Sequence, residues 1–258
     1  MIAGVISDGD ITVAAGTKLY ILDHGVLDIL QGHTLTVNGT LQILALPEAP
    51  ATLTSHAAAG ATLPPGDGFF LRLTDCDNYN PADGSGTVLQ DATIESVQAN
   101  NYQPIVISGC KPLFYNLKIT SVQALIYLES TSGLTMQRCS LSGISPFVMG
   151  DQRGTGVQID HNIIDGGAGN YSIAFLDPDA GLPVADGQIV DNVFYPAVGP
   201  SVWCDTATGT VPLGNNYWTQ GAPTTYNDRD PQGQHVSPCL LDFSPALSSA
   251  PANAGPTW

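Results

Sequence analysis

Apolar residues recur along this chain at a long and nearly constant interval. The pattern apolar–x–x–(small or Asn)–x–apolar appears six times: LQDATI (89–94), FYNLKI (114–119), MQRCSL (136–141), IDHNII (159–164), IVDNVF (189–194) and LGNNYW (213–218). The copies start 22 to 25 residues apart, except for one interval of 30 that carries an insertion around 177–186. Stacked, the first column reads Leu89, Phe114, Met136, Ile159, Ile189, Leu213 and the last reads Ile94, Ile119, Leu141, Ile164, Phe194, Trp218. Self-similarity at such a period marks a solenoid, because one repeat cannot bury its apolar face alone. Each repeat adds a second apolar stretch: FFLRLTD, PIVISG, LIYLES, FVMGDQ, IAFLDP and VWCDT. Short strands at constant period pair with their copies in adjacent coils, about 4.8 Å apart. The predicted fold is all-β, a single right-handed parallel β-helix over 1–258 with coils of about 22–25 residues. Capping coils are expected at 1–60, regular coils at 61–218 and a capping extension at 219–258.

Between the two apolar columns runs a third: Ala92, Leu117, Cys139, Asn162, Asn192, Asn216. Asn adopts left-handed backbone angles at low cost. It is therefore expected to form the bend between strands, its amide bonding to copies above and below. The bend is built differently in the two halves.

The register offers two outward faces. On the second strand, alternation sends Tyr127, Met149, Phe175 and Trp203 outward, one per coil, with Glu129, Asp151, Asp177 and Asp205 two residues on. Aromatic faces stack on sugar C–H faces while carboxylates accept from hydroxyls. Tyr127, Phe175, Trp203, Asp151, Asp177 and Asp205 are thus the candidate carbohydrate-binding residues. The opposite register, with the aromatics in the core, is the alternative. The second face stacks Asn116, Arg138, His161, Asp191 and Asn215, with Lys118 and Asp160 nearby. Arg138, His161 and Asp191 are the catalytic candidates if the protein is an enzyme: a base, its orienting carboxylate and a charge stabiliser. The bland reading is polar pairing between adjacent coils.

Composition narrows the partners. Seven Lys+Arg against 23 Asp+Glu give a formal net charge of −16, a surface that repels nucleic acid, anionic membranes and polyanionic glycans away from any local basic patch. Gly, Pro, Asn, Asp and Thr are abundant, as turns require. No window resembles a membrane span. The N-terminal MIAGVISDGD is not a signal peptide, so an extracellular protein would be read here as a mature form or excised domain. The five cysteines show no zinc spacing and are expected mainly as small buried hydrophobes, with Cys204–Cys239 as one conceivable disulfide. No cofactor is expected; the carboxylate ladder suggests Ca²⁺ only weakly, since no DxDxDG-type loop exists.

The opening ITVAAGTKLYILDHGVLDILQGHTLTVNGTLQI resembles the first coils of bacterial right-handed β-helix, pectin-lyase-like proteins. The closing GNNYW, DFSPAL and SPALSSAPANAG are similar to terminal segments of the same superfamily. The resemblance implies a secreted or cell-surface protein that meets polysaccharide, within a group of lyases, glycosidases, epimerases, tailspikes and adhesive repeats. The NTD, DD, GHG and RIK segments of its polygalacturonases are absent. Pectate-lyase motifs are echoed only by IDHN at 159–162. The expectation is a non-catalytic extracellular protein that binds glycan or assembles with copies of itself. The alternative is a polysaccharide-degrading enzyme, hydrolase before lyase, on a neutral or weakly charged glycan.

Overall fold

A computed structural model describes residues 4–59, 61–63, 67–95, 104–120, 126–129, 132–143, 147–149, 156–167, 172–175, 188–195, 202–204, 210–221, 225–226 and 240–258. Among them there is no helix, and the strands of three parallel sheets stack coil on coil. The first sheet holds nine strands, from Val5–Ser7 to Tyr217–Trp218. The second holds nine, from Ile11–Val13 to Thr225–Tyr226, and the third seven, from Lys18–Leu22 to Ile189–Val190. Each coil visits the sheets in that order, and every strand but those at the two ends of a sheet pairs with its counterparts one coil before and one coil after. This is a parallel β-helix, with its core inside the stack of coils.

Both apolar columns are core, and both are longer than the repeat indicates. On the third sheet Ile21, Ile43, Leu89, Phe114, Met136, Ile159 and Ile189 pair in unbroken register. On the first sheet Leu27, Leu53, Ile94, Ile119, Leu141, Ile164, Phe194 and Trp218 do the same. All are buried. Removing an apolar side chain from water contributes roughly 1.5–3 kcal/mol, so a column that repeats in every coil suffices to set the register.

The corner between the third and first sheets differs from expectation by one residue. The left-handed residues are Asp91, Asn116, Arg138, His161, Asp191 and Asn215, with φ between 53° and 57°. Each precedes a member of the third column. The left-handed residue turns its side chain away from the core, where Asp91 and Asn116 are nonetheless covered, and the following residue, Ala92 through Asn216, faces the core. Three of those are asparagines, and their amides form a ladder. Asn162 Nδ2 donates to Asn192 Oδ1 (2.9 Å) and Asn192 Nδ2 to Asn216 Oδ1 (3.0 Å). All three side-chain oxygens accept the backbone N–H of the previous coil: Asn162 Oδ1 from Cys139 (2.8 Å), Asn192 Oδ1 from Asn162 (3.0 Å) and Asn216 Oδ1 from Asn192 (3.0 Å). No amide in the ladder is left unpaired, as burial demands.

The C-terminal segment runs back down this corner. The Leu247 N–H donates to the Asn216 carbonyl (3.0 Å) and Gly255 N–H to the His161 carbonyl (2.8 Å). Farther along, Thr257 N–H donates to Asn116 Oδ1 (2.7 Å) and Trp258 Nε1–H to the Asn116 carbonyl (3.1 Å). Lys118 Nζ lies 3.9 Å from the centre of the Trp258 ring, a cation–π contact. Gly255 has φ +82°, and a Cβ there would sit 2.6 Å from Ile163 Cδ1, so this strap lies directly on the outer face of the first sheet.

Candidate functional site

The outer face of the third sheet carries a pair of adjoining recesses. Its outward column pairs Gln90 with Tyr115, Tyr115 with Gln137 and Gln137 with Asp160. Leu113 and Thr135 lie beside it in the next outward column. These residues, with Tyr79, Pro81, Lys111 and Gly156, bound an open groove of about 580 Å³. It adjoins a recess of about 270 Å³ lined by Tyr115, Gln137, Arg138, Asp160 and His161.

One wall is the excursion 75–87, which joins the strands Phe70–Thr74 and Val88–Gln90. Its tip closes on itself: Asn80 N–H donates to the Ser85 carbonyl (2.9 Å) and Ser85 N–H to Asp83 Oδ1 (2.9 Å). The Ser85 hydroxyl and N–H draw the Asp83 pKa below its usual value. The base is tied to the next coil. Tyr79 N–H donates to the Lys111 carbonyl (2.9 Å), Lys111 N–H to Asn78 Oδ1 (2.7 Å), and Cys76 is disulfide-bonded to Cys110 with their Cα atoms 5.3 Å apart. Cys139 is a free, buried thiol that burial pushes up to about 12; Cys76 and Cys110 are buried as expected too, but as a disulfide. Gly156, at φ +122°, leaves the space along which the Lys111 side chain lies; a Cβ there would be 2.8 Å from Nζ.

At the other end, His161 Nδ1 is 2.9 Å from Asp160 Oδ1. Asp160 is mostly covered (13% exposed) and His161 more open (36%). The second carboxylate oxygen of Asp160 accepts from Gln137 Nε2 (2.9 Å) and Gln158 Nε2 (3.1 Å). These two amides fix the carboxylate, and it orients the imidazole. Arg138 and His161 thus meet at one recess, as the stacked repeats predict. Asp191 occupies the equivalent corner one coil on but does not line the recess. The carboxylate that orients His161 is its chain neighbour Asp160, because the left-handed corner turns both side chains to the same outward side.

The second sheet corrects the aromatic stripe. Register pairs Tyr127 with Val148, Val148 with Ala174 and Ala174 with Trp203. Met149 and Phe175 belong to the adjacent row, which runs from earlier coils through buried Ile107 and Leu128 to Cys204. Tyr127 and Trp203 therefore share a row, interrupted by two small or β-branched residues, and Phe175 is not part of it. The slip arises because both frames of these three-residue strands are apolar, and a shift of one exchanges the faces. Asp151, Asp177 and Asp205 lie outside the described residues. In the same outward row Arg72 pairs with Val106; burial draws its pKa down, opposed by the Glu129 charge, and its guanidinium lies 5.4 Å from the Phe70 ring centre.

Among the described residues no group of three or more His, Cys, Asp or Glu is placed to hold a metal ion. Gln90, Tyr115 and Gln137, which floor the groove, lie outside the apolar columns and both candidate faces read from the sequence. Their signal was present as a constant place in the repeat, immediately before each left-handed corner. The chain matches no family model, no curated protein and no solved structure.

Proposed function

We propose that the protein is an extracellular, non-catalytic carbohydrate-binding β-helix of the pectin-lyase-like kind, and that the groove on the third sheet holds the glycan. The observation that carries this reading is the column Gln90–Tyr115–Gln137–Asp160, walled by Tyr79 on one side and by Arg138 and His161 on the other. Tyrosine faces suit the C–H faces of sugar rings, and side-chain amides both donate to and accept from hydroxyls. A carboxylate fixed by two amides accepts from a further hydroxyl without rearranging. The Cys76–Cys110 disulfide supports an oxidising, extracellular setting. The test is a glycan array followed by titration calorimetry on the best binder. Tyr115→Ala should weaken binding by roughly tenfold or more, since stacking and its hydrogen bond contribute on the order of 1.5 kcal/mol together. An array without a binder, or a binder indifferent to Tyr115→Ala, would sink the proposal.

A second reading, polysaccharide cleavage, is favoured by one observation: Asp160 holds His161 beside Arg138 in the same recess. An oriented imidazole next to a guanidinium can move a proton and steady a developing negative charge. Its test follows reducing ends and unsaturated products over a polysaccharide panel. Activity removed by His161→Ala would establish it, and silence across the panel would leave binding alone.

A further inference from the structure

The N-terminal end of the solenoid is apolar and thinly covered. Val5, Ile6, Tyr20, Leu22 and Val26 are exposed, Ile6 by 72%. A cavity of about 270 Å³ opens there among Val5, Ile11, Leu19, Ile21 and Leu27. The strands Val5–Ser7, Ile11–Val13 and Lys18–Leu22 are the edges of their sheets, so the first coil has a neighbour on one side only. What holds it there is partly ionic.

His56 ends the strand Ala51–His56 in the third coil of the first sheet. Its Nδ1 is 3.0 Å from Asp28 Oδ1, in the second coil, and its Nε2 is 3.2 Å from Asp8 Oδ1, in the first. A carboxylate only accepts. Both contacts are therefore hydrogen bonds only when both ring nitrogens carry a proton. Loss of either proton leaves one carboxylate facing a lone pair. The titratable groups on the elements packed against His56 are all acidic: Asp8 after the first strand, Asp28 on Val26–Leu30, and Glu95 on the neighbouring strand Ala92–Glu95. His56 is accordingly raised above its usual value, first by the Asp28 hydrogen bond and then, against desolvation, by Asp8.

We infer that the first coil is a pH-gated end cap, fastened across three coils by the doubly protonated His56 ring and released when that ring loses a proton. This goes beyond glycan binding and does not depend on it. The sign follows from the raised His56 pKa. The link is fully present below the unfolded value near 6.5 and is lost as pH rises through the higher folded value. A second fastening works in the opposite direction. Asp10 accepts from Thr34 N–H (2.9 Å) and contacts His33 Nδ1 (3.0 Å), which lowers its pKa. That link is present above the ordinary carboxylate value and lost as pH falls through the lowered one. The cap is firmest in mildly acidic solution.

Hydrogen exchange on the full chain tests this, with each amide rate divided by that of unstructured chain at the same pH. Protection across 5–13 should fall about tenfold between roughly pH 5.5 and 8.5, while Ile105–Ser108 stays unchanged. His56→Gln should give the weak, high-pH level at both values. Asp8→Asn, at an 86% exposed side chain and so safe for folding, should shrink the drop and move its midpoint down. Protection that is flat with pH, or a drop that persists in His56→Gln, would overturn the inference.

Discussion

The corner between the third and first sheets is built in two ways in one molecule. In the coils of Asp91, Asn116 and Arg138 the inward residue is Ala92, Leu117 or Cys139, held by packing alone or nearly so. In the coils of His161, Asp191 and Asn215 it is Asn162, Asn192 or Asn216, held by directed amide bonds. The backbone is the same throughout, with a left-handed residue at every corner. The conformation therefore does not require asparagine at the inward position. What the asparagines add is attachment between coils, since Asn192 and Asn216 each join the coil below through both an amide and a backbone N–H, and Asn162 through a backbone N–H. The apolar half obtains its attachment elsewhere: from the Cys76–Cys110 bond, and from outside the corner, where Asn116 Nδ2 donates to Asp91 Oδ1.

The two constructions should fail differently. Asn192→Ala should be the most damaging change, at roughly 4 kcal/mol. It deprives Asn162 of its acceptor and leaves the Ile159 and Val190 carbonyls without the donor they have. Urea unfolding would measure it, and a loss under about 1 kcal/mol would mean the ladder contributes little net attachment. Replacing Cys76 and Cys110 together by alanine should cost about 3.8 kcal/mol, the loop-entropy figure for a sequence separation of 34. It should also loosen the 75–87 wall, so glycan affinity ought to fall with stability. Smallest is Cys139→Asn, which extends the ladder one coil into the apolar half. Phe114 and Gln137 carbonyls already face the thiol (3.6 and 3.3 Å) and the Asn162 amide lies one coil away. A gain of about 1 kcal/mol is expected, read as a higher Tm. A lower Tm would show that the two corners are not interchangeable.

Much of this architecture is visible in the order of residues, because a column of apolar side chains leaves a mark in every repeat. Leu89 to Leu213 and Ile94 to Trp218 could be aligned for that reason. The earlier members, Ile21, Ile43, Leu27 and Leu53, are missed because the first coils lack the tight one-residue corner that keys the pattern. Placing the left-handed angle on Asn162 in place of His161 was an error of one position. Intrinsic preference favours both residues, and only the direction of the buried amide decides between them. The second sheet went astray for a different reason: Met149 and Phe175 are apolar in either frame, so hydrophobicity could not choose. For the groove, Arg138 and His161 were readable as stacked neighbours. Its wall was not, since 75–87 follows no repeat and is placed by the disulfide and by hydrogen bonds to Lys111.

The strap from Leu247 to Trp258 has a consequence for how the protein is made. Neighbouring coils meet across some two dozen residues, so they can zip together in order as the chain emerges during synthesis. Asn116 waits for Thr257, 141 residues later. A contact that distant in sequence is slow to form. The outer surface of the first sheet is therefore exposed during synthesis until the rest of the solenoid has stacked, and it is sealed from the far end like a zip fastener closed last.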